Sequence, residues 1–289
     1  IFLAAEMLTA LGILKLIRHF HFSEHLLSIY FLNPLIIIEG IGNLHFEIIM
    51  ICFTVWGMYY IFVKRILVLG ACMIALAIAS KLLPLIFLPY FLFQLKGTKR
   101  VKFFGVGFLA LIVLFLPIAL GLDFANFGSS VDLYFQKFEF NASFYYLFRA
   151  VGRWITGYNL IHYIGPLLGL IAMSVIVWRA YRADDFDFKV FTNFAFVAFS
   201  VYLFTATTVH PWYLSMPILF SVFVRWRFAL VWSFLIMLSY INYSYEPYYE
   251  NLTVVVIQYA IVFGFIGYEV FLRSRFDQLC LSTLSDVDV

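Results

Sequence analysis

Residues 103–121 read FFGVGFLALIVLFLPIALG, a stretch of the chain without one charged side chain. A helix of about 20 apolar residues spans the hydrocarbon core of a bilayer, which is about 30 Å thick. The whole chain is 64% hydrophobic and only 12% charged, whereas a soluble domain has about 25% charged residues. This composition excludes a water-soluble globular protein and predicts a protein surrounded largely by lipid.

Ten further apolar runs predict an all-α polytopic membrane protein. They cover residues 1–14, 26–38, 45–63, 66–79, 83–95, 160–178, 190–208, 212–224, 228–244 and 252–272. Helices satisfy their own backbone polar groups, as lipid requires, and the runs lack the alternation of barrel strands. For 289 residues we expect about 9–11 transmembrane or half-membrane helices. They form one domain over residues 1–275, followed by a short, polar cytoplasmic tail at 276–289.

The basic residues indicate an orientation. If the segments alternate and the tail is cytoplasmic, fifteen of the 19 Lys and Arg fall in inner connections, as the positive-inside rule requires. They lie within residues 15–18, 64–65, 96–102, 179–189, 225–227 and 273–275. Lys81, Lys137, Arg149 and Arg153 remain outside. Because this topology accounts for nearly all the cations, no nucleic-acid partner is predicted. It also favours two short helices meeting near Pro84 over one long helix across 66–95.

Four of the apolar runs are too short to cross a bilayer. At 1.5 Å per residue, 13 or 14 residues reach about 20 Å, against a hydrocarbon core of about 30 Å. Non-helical backbone cannot face lipid, so we expect the outer ends of these segments to lie inside the protein or in a wet cavity. The four short runs are 26–38, 66–79, 83–95 and 212–224.

Polar residues collect at three breaks on the outer side: Asn33–Glu47, Ser80–Pro84 and Thr207–Tyr213. Ionisable side chains at membrane depth are costly and usually functional. We therefore expect the three breaks to converge on one outward-facing, recessed site. Its candidate residues are Glu39, Asn43, His45, Glu47, Lys81, His210 and Tyr213.

Taken singly, each of these side chains could have a structural role instead of a role in a site. The carboxylates could face lipid headgroups, Lys81 could snorkel to the interface, and His45 could be a structural histidine. His210 could cap a helix end, and Trp212 and Tyr213 fit an aromatic belt. The coincidence of all three breaks favours a site.

An amphipathic helix is predicted at 143–153, on the outer side. Arg149 and Arg153 lie one turn apart on this helix. Such a helix lies in the membrane interface with its apolar side toward the lipid. That apolar side comprises Phe144, Leu147, Phe148 and Val151.

The predicted site combines groups suited to phosphoryl-linked transfer. A carboxylate can accept the proton of an attacking hydroxyl or hold a metal ion, while lysine and histidine suit phosphate oxygens. The set favours transfer from a lipid-phosphate donor, and no metal site is assigned, although a divalent metal stays open. A secondary transporter with broken helices is the alternative, but the breaks show no matched pair. A non-catalytic scaffold is the third possibility.

Four motifs, in order over residues 33–217, resemble bacterial membrane mannosyltransferases of the GT-C superfamily, near glycosyltransferase family 87. The first is Asn33-Pro34 with Glu39, Gly42-Asn43 and His45-x-Glu47. The others are Lys81-Leu82-Leu83-Pro84 with Pro89, Phe140–Leu147 with Arg149, and His210-Pro211-Trp212-Tyr213 with Pro217.

The resemblance implies a multi-pass enzyme of the bacterial inner membrane with its site on the extracytoplasmic face. It implies a polyprenyl-phosphate-linked hexose, such as mannose, as donor, a glycan or lipid as acceptor, and an inverting reaction. Lys81 and His210 would hold the donor phosphate, and Arg149 would assist with phosphate or lipid headgroups. The sugar or acceptor side would be lined by Glu39, Asn43, His45 and Glu47.

The resemblance also bears on the catalytic base. In such enzymes this is usually an Asp in the first outer loop, and this chain opens at Ile1, inside an apolar run without an initiator Met. We therefore expect the N-terminal helices and that loop to be missing, and the fragment to be inactive alone. Glu47, which stands where the family often has Asp, is the candidate within the chain.

Overall fold

The computed structural model describes residues 1–121, 138–246 and 249–285, and within these ranges the chain is helical without a β-strand. The all-α fold class predicted from the hydropathy is therefore confirmed. Lys137 and the side chains of Arg273 and Arg275 lie outside what is described.

Residues 1–121 form six α-helices, which are joined in places by short stretches of 3₁₀ helix or π-helix. The α-helices are α1 (Phe2–His19), α2 (Leu27–Phe31), α3 (Glu47–Met58), α4 (Leu67–Ser80), α5 (Leu88–Gln94) and α6 (Gly97–Gly121). Between them lie 3₁₀ helices at Glu24–Leu26 and Leu83–Phe87 and π-helices at Ile36–Gly42 and Tyr59–Val63.

The described residues from 138 onward form six more α-helices. They are α7 (Phe144–Thr156), α8 (Ile161–Tyr181), α9 (Phe188–Thr205), α10 (Ser215–Ser221), α11 (Phe228–Leu235) and α12 (Leu252–Ser285). A 3₁₀ helix at Pro211–Leu214 precedes α10, and another at Ile236–Ser244 extends α11. Helix α12 continues to Ser285, through most of the tail predicted from residue 276.

Helix length agrees with a multi-pass membrane protein in which only some of the predicted transmembrane or half-membrane helices are full spans. Among the described residues, four helices are long and apolar enough to cross a membrane: α6, α8, α9 and the Leu252–Leu272 part of α12. A fifth results if Glu24–Phe31 and Ile36–Gly42, which meet at 60°, count as one span. The other apolar runs form shorter helices, because polar or proline-containing breaks interrupt them.

The predicted break between 66–79 and 83–95 is present. Helix α4 ends at Ser80, and Lys81 is extended, with φ −163° and ψ 139°. Pro84 stands in the first turn of the next 3₁₀ helix, a position that proline tolerates because its missing N–H needs no partner there. One long helix across this region is excluded.

The helices surround α9. Most of α9 is buried and packs aromatic side chains such as Phe191 and Phe199 against Phe87 and Phe220. Helices α6, α8 and α12 lie at the periphery and leave most of their apolar surface uncovered. Uncovered apolar faces of this size fit a lipid environment.

The helix ends with the basic connections and the helix ends with the polar breaks lie on opposite faces of the helix bundle. On one face, Lys15 and Lys64 lie over the ring of Tyr59, at 5.8 and 5.9 Å from its centre. Phe20 stacks there on Phe188 at 4.1 Å, so the ends of α1 and α3 meet the start of α9. The three polar breaks lie at the opposite helix ends, which separates them from most of the basic connections.

Candidate active site at the broken helices

Direct contacts bring the three predicted breaks together. Lys81 forms an ion pair with Glu47, which joins the end of α4 to the start of α3. The ring of His45 stacks on Trp212 with 4.0 Å between centroids, which joins the first break to the third. The convergence expected from the sequence is present in the structure, and we call these residues the break site.

The chain bends at the first break for local reasons. Asn33 Oδ1 accepts a hydrogen bond from Leu35 N at 2.9 Å, an Asx turn that starts the segment at Pro34. Gly40 lies so close to Ile48 that an added Cβ would be 2.3 Å from Ile48 Cδ1. Leu44 has φ +56°, which is strained for a residue with a side chain.

Glu39 is a buried and fully partnered carboxylate. Its Oε1 accepts from the Tyr240 hydroxyl at 2.7 Å, and its Oε2 accepts from Asn43 Nδ2 at 3.0 Å. His45 Nε2 lies 3.4 Å from the same Oε2. Since Glu39 is almost inaccessible, the headgroup-facing alternative is wrong for this residue, and Glu39 instead orients Asn43 and His45.

Lys81 is held but not enclosed. Its partner Glu47 is buried, whereas 30% of the Lys81 side chain is exposed. Its Nζ lies 4.8 Å from the centre of the Tyr213 ring, within the range of a cation–π contact. An ammonium has three donors, so one ion pair leaves capacity for an anion. The snorkelling alternative is wrong, because the ammonium pairs inside the protein.

Four aromatic rings form a column beside these charges. Trp212 lies between His45 at 4.0 Å and His210 at 4.4 Å, and Phe140 stacks on the far side of His210 at 4.8 Å. His210 precedes the 3₁₀ helix at Pro211 without a side-chain capping hydrogen bond. Capping and an aromatic belt therefore do not explain His210 and Trp212.

His210 is a neutral histidine. It lies in the connection between α9 and the Pro211–Leu214 helix, where burial, followed by the nearby Lys81 and His45, lowers the pKa of His210 to about 4. Its buried Nδ1 has no hydrogen-bond partner among the described residues. At pH 7 it can therefore hydrogen-bond a phosphate or sugar but adds no positive charge.

Arg149 belongs to a second cluster, at the start of α7. It pairs with Glu139, and its Cζ lies 4.1 Å from the centre of the Tyr146 ring. Glu139 also accepts from the Tyr145 hydroxyl and from Asn159 Nδ2, both at 2.5 Å. Arg149 thus makes no direct contact with the break site in the described structure, and we call this group the Arg149 cluster.

A short backbone pairing connects the two clusters. Phe140 N donates to Thr207 O at 3.1 Å, and Val209 N donates to Phe140 O at 2.8 Å. Thr208 Oγ1 donates to Phe138 O at 3.0 Å. The segment that leads into α7 is therefore fixed to the segment that carries His210.

A groove of about 680 Å³ runs between α7 and α12. Its walls are mainly apolar, including Leu147, Val256 and Phe263, while Arg149 and Arg153 lie along the α7 side. The helix predicted at 143–153 is present as Phe144–Thr156, and its predicted apolar side is exposed. The groove combines an apolar channel with cations.

Three participating residues were missed by sequence reasoning: Glu139, Tyr240 and Glu250. Glu250 accepts from Asn141 N at 2.6 Å and from the Tyr146 hydroxyl. Glu139 and Glu250 stand outside the apolar runs and next to aromatic residues, and Tyr240 lies near the end of the 228–244 run in a segment rich in tyrosine. These are the only signals that the sequence offered for them. Within the described ranges, no group of three or more His, Cys, Asp or Glu side chains is arranged to hold a metal ion.

The fold and this site define a multi-pass α-helical membrane protein with a polar site at broken helices. Residues 1–96 match the family described as alpha-(1->6)-mannopyranosyltransferase, N-terminal domain. The match spans α1 to α5, includes the first two breaks, and supports a mannosyltransferase-like family and a glycosyltransferase role. No curated protein and no solved structure matches the chain.

Proposed function

We propose that the protein is a GT-C-type glycosyltransferase of the bacterial inner membrane. It moves a hexose, mannose in the first instance, from a polyprenyl-phosphate donor to a glycan or lipid acceptor on the extracytoplasmic face. The observation that carries the proposal is the convergence of the three breaks around a partly exposed lysine. The family match over residues 1–96 favours transfer over secondary transport.

The donor lipid has a suitable binding surface in this proposal. The groove between α7 and α12 offers about 680 Å³ of mainly apolar space for part of a polyprenyl chain. Arg153 lines the groove, and among the described residues it has no carboxylate within ion-pair distance. Arginine suits phosphate oxygens, so Arg153 guides the donor phosphate, while Arg149 is already paired with Glu139.

The break site supplies the groups for the transferred sugar. Lys81 holds the phosphate as it becomes the leaving group, and His210 adds a neutral hydrogen bond. Asn43 and His45 contact sugar or acceptor hydroxyls, with their positions set by Glu39. Glu47 is assigned as a positioning residue, because its carboxylate already pairs with Lys81.

Stacked rings complete the proposed sugar site. Trp212, with its ring held between His45 and His210, and Tyr213, with its ring against Lys81, form an aromatic wall beside the charged groups. The general base is not assigned to any residue of the break site, because both of its carboxylates are engaged.

The test compares Lys81→Ala with Lys81→Arg in the intact protein. Loss of a charge that stabilises the leaving phosphate should lower kcat/KM for mannose transfer from polyprenyl-phosphate-mannose by about 10²–10³-fold. The Lys81→Arg protein should retain part of the rate, because the positive charge remains. The measurement is incorporation of labelled mannose into membrane acceptors.

Lys99→Ala, an exposed change at the start of α6, is the control and should leave transfer unchanged. Unaltered transfer by the Lys81→Ala protein at equal abundance would contradict the role of Lys81. Efficient transfer from a nucleotide sugar, with none from the polyprenyl donor, would contradict the donor class.

A further inference from the structure

The connection between α8 and α9 forms a basic cleft away from the break site. The cleft has a volume of about 350 Å³ and is lined by Arg179, Arg182 and Lys189, with Asn193 on the same wall. Among the described residues, Asp184 is the one acidic residue in its lining. The cleft therefore carries an excess of two positive charges.

The cations of this cleft are not neutralised by carboxylates of the protein. Among the described residues, none lies within ion-pair distance of Arg179, Arg182 or Lys189. The nearby Asp187 is used by the fold, because its Oδ1 accepts from Lys189 N at 2.8 Å and caps α9. The charges remain available for an anion.

Helix α5 fixes the shape of the cleft from inside. Gln94 Nε2 donates to the carbonyls of Ala180 and Ala183, each at 3.0 Å. The Tyr90 hydroxyl donates to the Asp185 carbonyl at 2.9 Å. A connection held by these inward hydrogen bonds presents its cations in a preset arrangement, which lowers the cost of binding.

Exposed aromatic residues place the cleft at the level of lipid headgroups. Trp178 and Tyr181, in the last turn of α8, are 57% and 66% exposed. Trp and Tyr prefer the membrane interface. Earlier along the same helix, Leu170 and Met173 are exposed and offer an apolar surface for acyl chains.

We propose that this cleft binds the headgroup of an anionic glycerophospholipid. The phosphate contacts Arg179, Arg182 and Lys189, Asn193 donates a hydrogen bond, and the acyl chains lie along α8. Cations that serve only to orient the chain in the membrane need neither a cleft nor hydrogen bonds that hold their connection in place. Basic pockets between membrane helices are suited to such headgroups. This inference does not depend on the proposed transferase activity.

Thermal unfolding of the detergent-solubilised chain tests the site with phosphatidylglycerol as the probe. Phosphatidylcholine and inorganic phosphate serve as comparisons. The variant is Arg179→Gln with Arg182→Gln and Lys189→Gln. The matched control, Lys96→Gln with Lys99→Gln and Lys102→Gln, removes the same charge from another exposed connection.

Phosphatidylglycerol should raise the melting temperature more than phosphatidylcholine does, in the unchanged chain and in the control. The cleft variant should lose this difference, with an affinity about a hundredfold lower. The proposal is overturned if the cleft variant keeps the full shift or the control loses as much. An equal effect of inorganic phosphate would show a free-anion site instead.

Native mass spectrometry provides a second measurement that does not depend on the stability of the triple variant. Arg182→Gln alone should retain fewer phosphatidylglycerol molecules than the unchanged chain, with phosphatidylcholine retention equal in both. Equal retention of phosphatidylglycerol by both chains would contradict the proposal.

Discussion

At the scale of single residues, Gly40 permits the close approach of the first break to α3. A Cβ at this position would lie 2.3 Å from Cδ1 and 2.6 Å from Cγ1 of the buried Ile48. We expect Gly40→Ala to reduce the free energy of unfolding in detergent by about 1–3 kcal/mol, because overpacking outweighs the better helix propensity of alanine. Thermal or denaturant unfolding measures this change.

Gly169→Ala is the control for this substitution, since an added Cβ on α8 meets no atom within 4 Å. The control should be neutral or slightly stabilising. In an Ile48→Ala background, Gly40→Ala should cost less than in the unchanged chain. Equal costs in the two backgrounds would show that contact with Ile48 is not the reason for glycine.

The residue types at the break site could be predicted, but their pairing could not. Glu39, His45 and Lys81 stand out because ionisable residues are rare in apolar runs. Tyr240, which donates to Glu39, lies 201 positions further along the chain in a segment rich in tyrosine. The partner of a buried carboxylate depends on how helices pack, and hydropathy carries no information about that.

At the scale of elements, α7 has two different sides: one is apolar and exposed, and the other makes polar contacts within the protein. Val151 is 53% exposed, whereas Arg149 and Tyr146 face Glu139 and Glu250. If α7 lies in the membrane interface, a spin label at Val151→Cys should be more accessible to oxygen than to a water-soluble nickel chelate. Power-saturation spectroscopy in liposomes measures both accessibilities, after replacement of the three native cysteines.

Asp184→Cys, in the exposed connection after α8, is the matched control and should favour the nickel chelate. A label at Val151 with the same preference as one at Asp184 would mean that α7 lies in water rather than against lipid.

Elements could be predicted from the sequence where the local signals were strong. The break at Ser80–Pro84 and the helix around Arg149 were predictable, since proline, charge and periodicity act over a few residues. The π-helical form of Ile36–Gly42 was not predictable. Within this segment Gly40 packs against Ile48 and Glu39 accepts from Tyr240, which are contacts with residues beyond the segment itself.

At the scale of the whole molecule, the two sets of helix ends predict opposite exposure. Tyr158, next to the Asn159 that donates to Glu139, is 76% exposed on the side of the Arg149 cluster. Lys99 is exposed at the start of α6, among the basic connections. In intact cells, an impermeant thiol reagent should label Tyr158→Cys but should label Lys99→Cys only after permeabilisation.

The reverse pattern would place the break site on the cytoplasmic side and contradict the predicted orientation. Labelling of both positions in intact cells would show that the two connections share one side. At this scale, the concentration of basic residues on one side of the membrane could be predicted, because it needs only a count of Lys and Arg in each connection. The number of full spans could not, because the interrupted helices of the interior have the same hydropathy as spanning ones.

The backbone pairing of Phe140 links the groove between α7 and α12 to the ring column of the break site, which bears on how the two move. Phe140 is hydrogen-bonded to Thr207 and Val209 and stacks on His210, while the following residues lead into α7. Residues 141–143 join this pairing to the start of α7. We therefore expect a movement of α7 that widens the groove between α7 and α12 to be transmitted to His210 and to the ring column.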